Sequence, residues 1–203
     1  MSAGRGFLDF TAFATCRSLP AHSSLFHREL ARLPDDLFVS YAEPHRFTGT
    51  WQICLLVLRW STTPQLLDPT RTQDLCPESH RLLVGDRQIL GAGFSRVLPG
   101  TRILRHADLP QAGVLRFHLC LDGDAGAVFE SDGQEVPLRA GHGFVFDHSL
   151  PHATRHDGPA TRTCLIVDFQ PSRAEAALLI RTRGGINLGP TAEPQRAVEE
   201  AAS

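Results

Sequence analysis

Residues 114–147 read VLRFHLCLDGDAGAVFESDGQEVPLRAGHGFVFD. Short apolar runs rich in β-branched and aromatic residues alternate here with turn residues. Val114 to Leu121 is closed by Asp122-Gly123-Asp124, and Ala127 to Glu130 by Ser131-Asp132-Gly133. Glu135 to Leu138 is followed by Ala140-Gly141, and Gly143 to Asp147 completes the stretch. Gly and Asp adopt the backbone conformations that end strands, and runs of about 4–8 residues between such signals have strand length. The pattern continues in both directions: Ile89 to Leu98 is closed by Pro99-Gly100, and Arg162 to Phe169 is a last apolar run. Short strands at this spacing predict an all-β sandwich or barrel.

Upstream, Trp51 to Trp60 (WQICLLVLRW) reads as a buried strand, with a helix as the alternative. Ser24 to Leu33 (SLFHRELARL) carries apolar residues at helical spacing and predicts a short amphipathic helix. Residues 61–88 hold three prolines among many polar residues and read as a long loop or lid. Downstream, a helix is expected from Ser172 to Ile180, with Ser172 as N-cap and Glu175 at the capping-box position. The final TAEPQRAVEEAAS is small and polar and reads as a frayed tail. There is no internal repeat and no second domain boundary. One domain is expected: residues 1–88 pack on the core and contribute to a substrate pocket, 89–170 form the core, and 171–203 a helix and tail.

A chain of 203 residues suffices for one full core. With 20 basic against 22 acidic residues and a net charge of -2, there is no broad basic field for nucleic acid or a membrane surface. No apolar run has bilayer length, and MSAGRGFLDF lacks a signal-peptide apolar stretch, so a cytoplasmic protein is expected. The five cysteines, Cys16, Cys54, Cys76, Cys120 and Cys164, are scattered without a CxxC pair. That argues against a disulfide framework and against a structural zinc site. Cys120 and Cys164 lie in apolar runs and read as small buried hydrophobes.

Histidine is the commonest metal-ligating side chain, and His106, His118, His142, His148 and His152 all fall in the second half. Residues 106–108 are His-Ala-Asp; on a strand, positions i and i+2 point the same way, so both side chains could face one ion. His152, in the turn-like Ser149-Leu150-Pro151-His152, is the best candidate for a third ligand. Two histidines and a carboxylate on one face of a metal form the facial triad of non-haem iron oxygenases, which leaves the opposite face open. The His-x-Asp pattern alone equally describes a loop histidine and a turn aspartate.

Four stretches supply context: FSRVLPGTRILRH, LRFHLCL, GHGFVFDHSLPHA and RTCLIVDFQP. In this order, over roughly residues 89–170, they resemble the aspartyl/asparaginyl β-hydroxylase family of iron- and 2-oxoglutarate-dependent oxygenases. The resemblance implies a double-stranded β-helix core, cupin-like, with a few flanking helices. It implies metal roles for His106 and His152. It also implies that Arg162 and Ser95 hold the distal carboxylate of 2-oxoglutarate while His118 contacts its other end. The matching Arg116 would help bind a substrate carboxylate. Each position has a plainer reading. Arg162 could be a rim residue in water or pair with Asp168 or Asp147, Ser95 could be a simple strand serine, His118 a core histidine bonded to a carbonyl, and Arg116 an exposed strand residue.

The chain also departs from the family. Well-studied animal members have glycine where Asp108 stands, and the spacing of Asp108 completes the ordinary triad here. Asp108 fills the place a halide would need, which favours hydroxylation over halogenation. Val114 replaces a substrate-side arginine, so one carboxylate clamp is missing. Arg59 and Trp60 are pocket candidates, with strand-end packing the better reading. His148 is expected at the rim or hydrogen-bonded to a ligand, and His156 and Asp157 in a surface loop. The expected activity is hydroxylation of an unactivated C–H of an amino acid, free, peptidyl or carrier-bound, with Fe(II), 2-oxoglutarate and O2. Nucleic acid and membranes are not expected partners. The alternatives are a cupin metalloenzyme that does not use 2-oxoglutarate, and a non-catalytic cupin-like binding module.

Overall fold

A computed structural model of the chain describes residues 6–59, 69–108, 113–123 and 126–177. Among these, eleven strands form two antiparallel sheets. They are β1 (Val39–Ser40), β2 (Phe47–Thr48), β3 (Trp51–Leu58), β4 (Ile89–Val97), β5 (Arg102–His106), β6 (Leu115–Cys120), β7 (Ala127–Ser131), β8 (Gln134–Pro137), β9 (Gly143–Phe146), β10 (His152–His156) and β11 (Arg162–Phe169). The larger sheet has the order β1-β3-β4-β11-β6-β9, the smaller β2-β5-β10-β7-β8. From β4 onward the chain passes back and forth: β4, β6, β9 and β11 lie in the larger sheet, β5, β7, β8 and β10 in the smaller. That winding is the double-stranded β-helix, and the expected mainly-β jelly roll is the fold observed.

Burial follows the layers. β11 is buried at seven of its eight positions because helices cover one face of the larger sheet and the second sheet covers the other. β7 and β8 alternate inside and outside, as strands with one wet face do. The Asp132-Gly133 turn between them has φ of 48° and 79°, and Ser131 pairs with Gln134. Two positive-φ residues make a two-residue hairpin turn that follows the twist of its strands.

One core lies between the larger sheet and the helices, with Phe13, Phe26 and Leu83 against Phe94, Phe117 and Phe169. A second, of Phe129, Leu138, Phe144 and Phe146, lies between the sheets. Phe117 is fully buried and its ring packs 5.6 Å from that of Phe10. Phe117→Ala is expected to cost about 3–5 kcal/mol, through lost transfer energy and the cavity left behind. Chemical denaturation of both proteins measures it; a loss under 1 kcal/mol would mean the core refills the space.

Besides the helical residues 173–177, four α-helices are described: α1 (Ala14–Arg17), α2 (Ser23–Leu30), α3 (Thr70–Leu75) and α4 (Pro77–Val84). The helix expected over Ser24 to Leu33 is α2, which buries Phe26 and Glu29. The Glu29 carboxylate accepts the backbone N–H of Glu78 at 3.1 Å and of Ser79 at 2.8 Å, so it caps α4.

Three expectations need correction. The described part of the expected loop at 61–88 contains α3 and α4, both packed on β3. Pro69 precedes α3 and Pro77 opens α4. Proline at a helix start has no N–H to waste and its φ is already helical, so here it starts helices. The turn-like segment before His152 leads directly into β10, whose first residue is His152. His156 is not in a surface loop: it ends β10, is buried, and its Nε2 donates to the Ala160 carbonyl at 2.7 Å.

Residues 173–177 are helical. Ser172 N–H donates to the Glu175 carboxylate at 2.7 Å and Glu175 N–H to Ser172 Oγ at 3.3 Å, the reciprocal capping box. The rest of that helix, and the tail, lie outside the described residues. Among the described residues no helix is long and apolar enough to cross a membrane.

Candidate active site

His106 ends β5 and His152 opens β10, and the two are direct partners in the antiparallel register. A cross-strand pair brings side chains on one face together, and the two rings lie 4.4 Å apart. Each Nδ1 faces the carbonyl two residues earlier: His106 to Leu104 at 2.6 Å, His152 to Leu150 at 2.9 Å. A carbonyl only accepts, so both Nδ1 atoms carry a hydrogen and each Nε2 is left for another partner. Burial is the main reason the His152 imidazolium is disfavoured, with pKa lowered to about 4, so the ring is neutral at physiological pH.

Asp108 stands two residues beyond the strand end, its backbone N–H bonded to the His148 carbonyl at 2.9 Å. Its Oδ1 lies 3.6 Å from His106 Nε2. One ligand atom each from His106, Asp108 and His152 fall within 4.8 Å of one another. Burial works to raise the Asp108 pKa. The facing His148 ring, the Arg116 guanidinium and the nearby His152 more than offset it, and the carboxyl is held well below its usual range. Two imidazoles and an ionised carboxylate on one face suit a first-row divalent ion with open positions.

Behind this cluster the inner face of the larger sheet is polar where a jelly roll is usually filled. Ser95, His118, Arg116, Arg162 and Asp168 all lie on β4, β6 and β11. Arg162 is 1% exposed, and its Nε and Nη1 have no hydrogen-bond partner. The plainer readings of Arg162 fail: it is buried and so not at the rim, Asp168 is bonded by Arg116, and Asp147 accepts from Ser149. A buried guanidinium without an anion is costly, so its surroundings fit a carboxylate ligand. His118 is surrounded by Phe129, Phe144 and Phe146, each ring 5.2 Å away. Neither of its nitrogens has a partner, so it is not a core histidine tied to a carbonyl. Burial first, then the Arg162 and Arg116 charges, keep it neutral. Ser95 Oγ accepts from Trp51 Nε1 at 3.0 Å and keeps its own hydrogen free to donate.

Arg116 is not an exposed strand residue. It bonds Asp168 through Nε at 2.6 Å and Nη2 at 3.0 Å, and Asp108 through Nη1 at 2.8 Å. His148 is 3% exposed, so it is not at the rim; its Nδ1 lies 3.4 Å from Asp108 Oδ2 without hydrogen-bond geometry. Arg59 donates to the Asp86 and Ile89 carbonyls at 2.9 Å each, which is strand-end packing; Trp60 lies outside the described residues.

Sequence reasoning missed Arg46, which bonds Asp108 Oδ1 at 2.8 Å, and Ser131, the register partner of His152, buried with an unpartnered hydroxyl. Strand alternation could have found Ser131; nothing local marks Arg46.

The chain resembles several solved structures. A Pseudomonas putida prolyl-4-hydroxylase is 17% identical at a TM-score of 0.48, with 83% of this chain and 94% of that one covered. A Thermotoga maritima protein titled a predicted oxalate decarboxylase is 16% identical at a TM-score of 0.43, with 66% and 91% covered. No curated protein matches the chain. The model of one family, Aspartyl/Asparaginyl beta-hydroxylase, matches residues 23–171, from α2 through β11 and every residue of the metal cluster. The chain belongs to the aspartyl/asparaginyl beta-hydroxylase family.

Proposed function

We propose that this chain is an Fe(II)- and 2-oxoglutarate-dependent dioxygenase that hydroxylates an unactivated C–H of an amino acid, free, peptidyl or carrier-bound. Nucleic acid and membranes have no part in this reading, and the reaction is placed in the cytoplasm. The observation that supports it best is a two-histidine, one-carboxylate cluster with, on the inner face behind it, a buried arginine whose Nε and Nη1 have no partner among the described residues.

His106 Nε2, His152 Nε2 and the Asp108 carboxylate would hold the iron. Bound together, iron and 2-oxoglutarate supply the oxidising chemistry: one atom of dioxygen enters the substrate and the other enters succinate as carbon dioxide leaves. Arg162 would grip the far carboxylate with its planar fork, which a lysine could not match bidentately. Ser95, with its hydrogen free, would donate to the same group. His118, neutral and unpartnered, would offer one N–H to the cosubstrate's other end. Phe129, Phe144 and Phe146 keep water away from these groups and so strengthen each charge contact. Val114 leaves out one clamp for a substrate carboxylate, and Arg116 is held by Asp108 and Asp168, so a substrate other than an aspartyl residue is favoured.

The test is anaerobic. Iron(II) and then 2-oxoglutarate are added to the metal-free protein and the visible spectrum is recorded. A weak charge-transfer band that requires both additions is expected. Tight iron binding without the band would overturn the 2-oxoglutarate reading, and no iron binding would overturn the metal reading as well.

Gly123 offers a quieter check. Its φ is +108°, and a Cβ there would lie 2.7 Å from Arg162 Cγ. Gly123→Ala is expected to cost about 1–3 kcal/mol in backbone strain and to push Arg162 off its position. Thermal melts with and without 2-oxoglutarate would show a lower melting temperature and a smaller ligand-induced rise; an unchanged ligand response would mean that Arg162 does not report on that ligand.

A further inference from the structure

Asp108 is the middle member of a chain of alternating charge. Glu43 Oε1 lies 3.1 Å from Arg46 Nη2, and Arg46 Nη1 donates to Asp108 Oδ1 at 2.8 Å. On the other side Arg116 Nη1 donates to Asp108 Oδ2 at 2.8 Å, and Arg116 grips Asp168 through two further nitrogens. Both oxygens of the candidate metal carboxylate are therefore held, each by a different guanidinium.

Three features separate Arg46 from an ordinary surface ion pair. It comes from the short 3-10 turn Pro44–Arg46 between β1 and β2, 62 residues from Asp108, outside the winding that builds the jelly roll. It is largely desolvated: the side chains of Arg46 and Asp108 are 17% and 15% exposed, against 63% and 62% for Arg71 and Asp36. Exposed pairs of the latter kind contribute almost nothing. Finally, the charges are balanced for a cation. Two guanidiniums beside a metal site would repel a dication. Each is compensated by a second carboxylate farther out, Glu43 or Asp168, so three carboxylates face two guanidiniums and the group keeps a net negative charge.

We infer that Arg46 is a positioning residue for the metal site, its guanidinium bridging Glu43 and Asp108 so that the Asp108 carboxylate is locked, with Arg116, in the orientation that faces His106 and His152. This rests on the metal reading above. Asp108 stands past the end of β5, where no strand neighbour restrains its side chain; the two arginines supply that restraint. Groups that orient a ligating side chain are worth about 10–100-fold in metal affinity. Lysine, a single point charge, could reach Asp108 but could not bridge both carboxylates in one plane.

The test uses the full-length metal-free chain and cobalt(II) alone, read by its visible d–d bands and by calorimetric affinity. Arg46→Gln is expected to bind cobalt(II) about 10–100-fold more weakly, with altered bands, and Arg46→Lys to fall between it and the wild type. Metal-free melting curves check that the variants fold; if Arg46→Gln does not, Arg46→Lys carries the test. A folded Arg46→Gln, or failing that Arg46→Lys, with wild-type affinity and bands would overturn the inference. If the wild type binds cobalt(II), His152→Ala loses it and Arg46→Gln does not, the metal reading stands and the role of Arg46 alone falls. If the wild type binds none, both fall.

Discussion

Arg162→Met is expected to raise the melting temperature of the ligand-free protein and to remove most of its response to 2-oxoglutarate. The two effects have one cause. Arg162 is 1% exposed and two of its guanidinium nitrogens, Nε and Nη1, have no partner, so the fold carries a desolvated charge that no ion pair among the described residues neutralises. Replacing buried ionic groups by apolar ones of similar volume is commonly neutral or stabilising by about 1–4 kcal/mol. Methionine keeps the stem that packs on Gly123 and removes the charge. On the ligand side, two hydrogen bonds to a charged group are lost, each worth about 1.5–3 kcal/mol, which weakens binding by roughly two to four orders of magnitude. Calorimetric melts with and without 2-oxoglutarate measure both. The wild type should gain about 2.7 kcal/mol at a hundredfold excess over its dissociation constant, and the variant at the same concentration less than about 0.5 kcal/mol. A variant that melts lower and still responds to 2-oxoglutarate would make Arg162 a structural residue and remove the main support for the cosubstrate. Stability given up at a binding residue is the common trade between fold and function.

His152→Ala should eliminate tight metal binding while the chain still folds. In the proposed site the imidazole would provide one of three ligand atoms, and its Nε2 is available because Nδ1 is committed to the Leu150 carbonyl. The loss should exceed the roughly 10–100-fold that follows removal of an outer support. The ring also packs against Phe129 and Phe146, so the metal-free protein should lose about 0.5–3 kcal/mol. Metal content after desalting, together with melting curves with and without iron(II), separates the two effects. His106→Ala should match it in metal binding, since the two histidines are register partners. Retention of stoichiometric metal by His152→Ala would require a different third ligand; His148, buried beside Asp108, would be the first to test.

Much of the fold was readable because its signals are local. A strand ends where glycine or aspartate permits a turn, and β4, β6, β7, β8, β9 and β11 lie within two residues of their expected ends. The capping box at Ser172 and Glu175 is complete within four residues. The reading failed where one residue type has two local uses. Pro69 and Pro77 looked like breakers and act as helix starters. It also failed where a strand carries too many polar and basic residues to show its period: His-Ala-Thr-Arg-His is β10, and its two end histidines are buried only because β5 and β7 flank it.

The sequence by itself determined the β-rich class, the family, the His-x-Asp pair and the residue types of the site, because each is carried by neighbours a few positions apart. Only the tertiary structure decided partnership. His106 meets His152 through the pairing of β5 with β10, Asp168 lies 52 residues from the Arg116 it binds, and Arg46 is 62 residues from Asp108. Which charges meet depends on which sheet edges and faces come together, and that is set by the packing of the whole chain. The same packing satisfies Arg116 twice over and leaves Arg162 Nε and Nη1 without a partner among the described residues, a difference that two strand arginines do not show in the sequence.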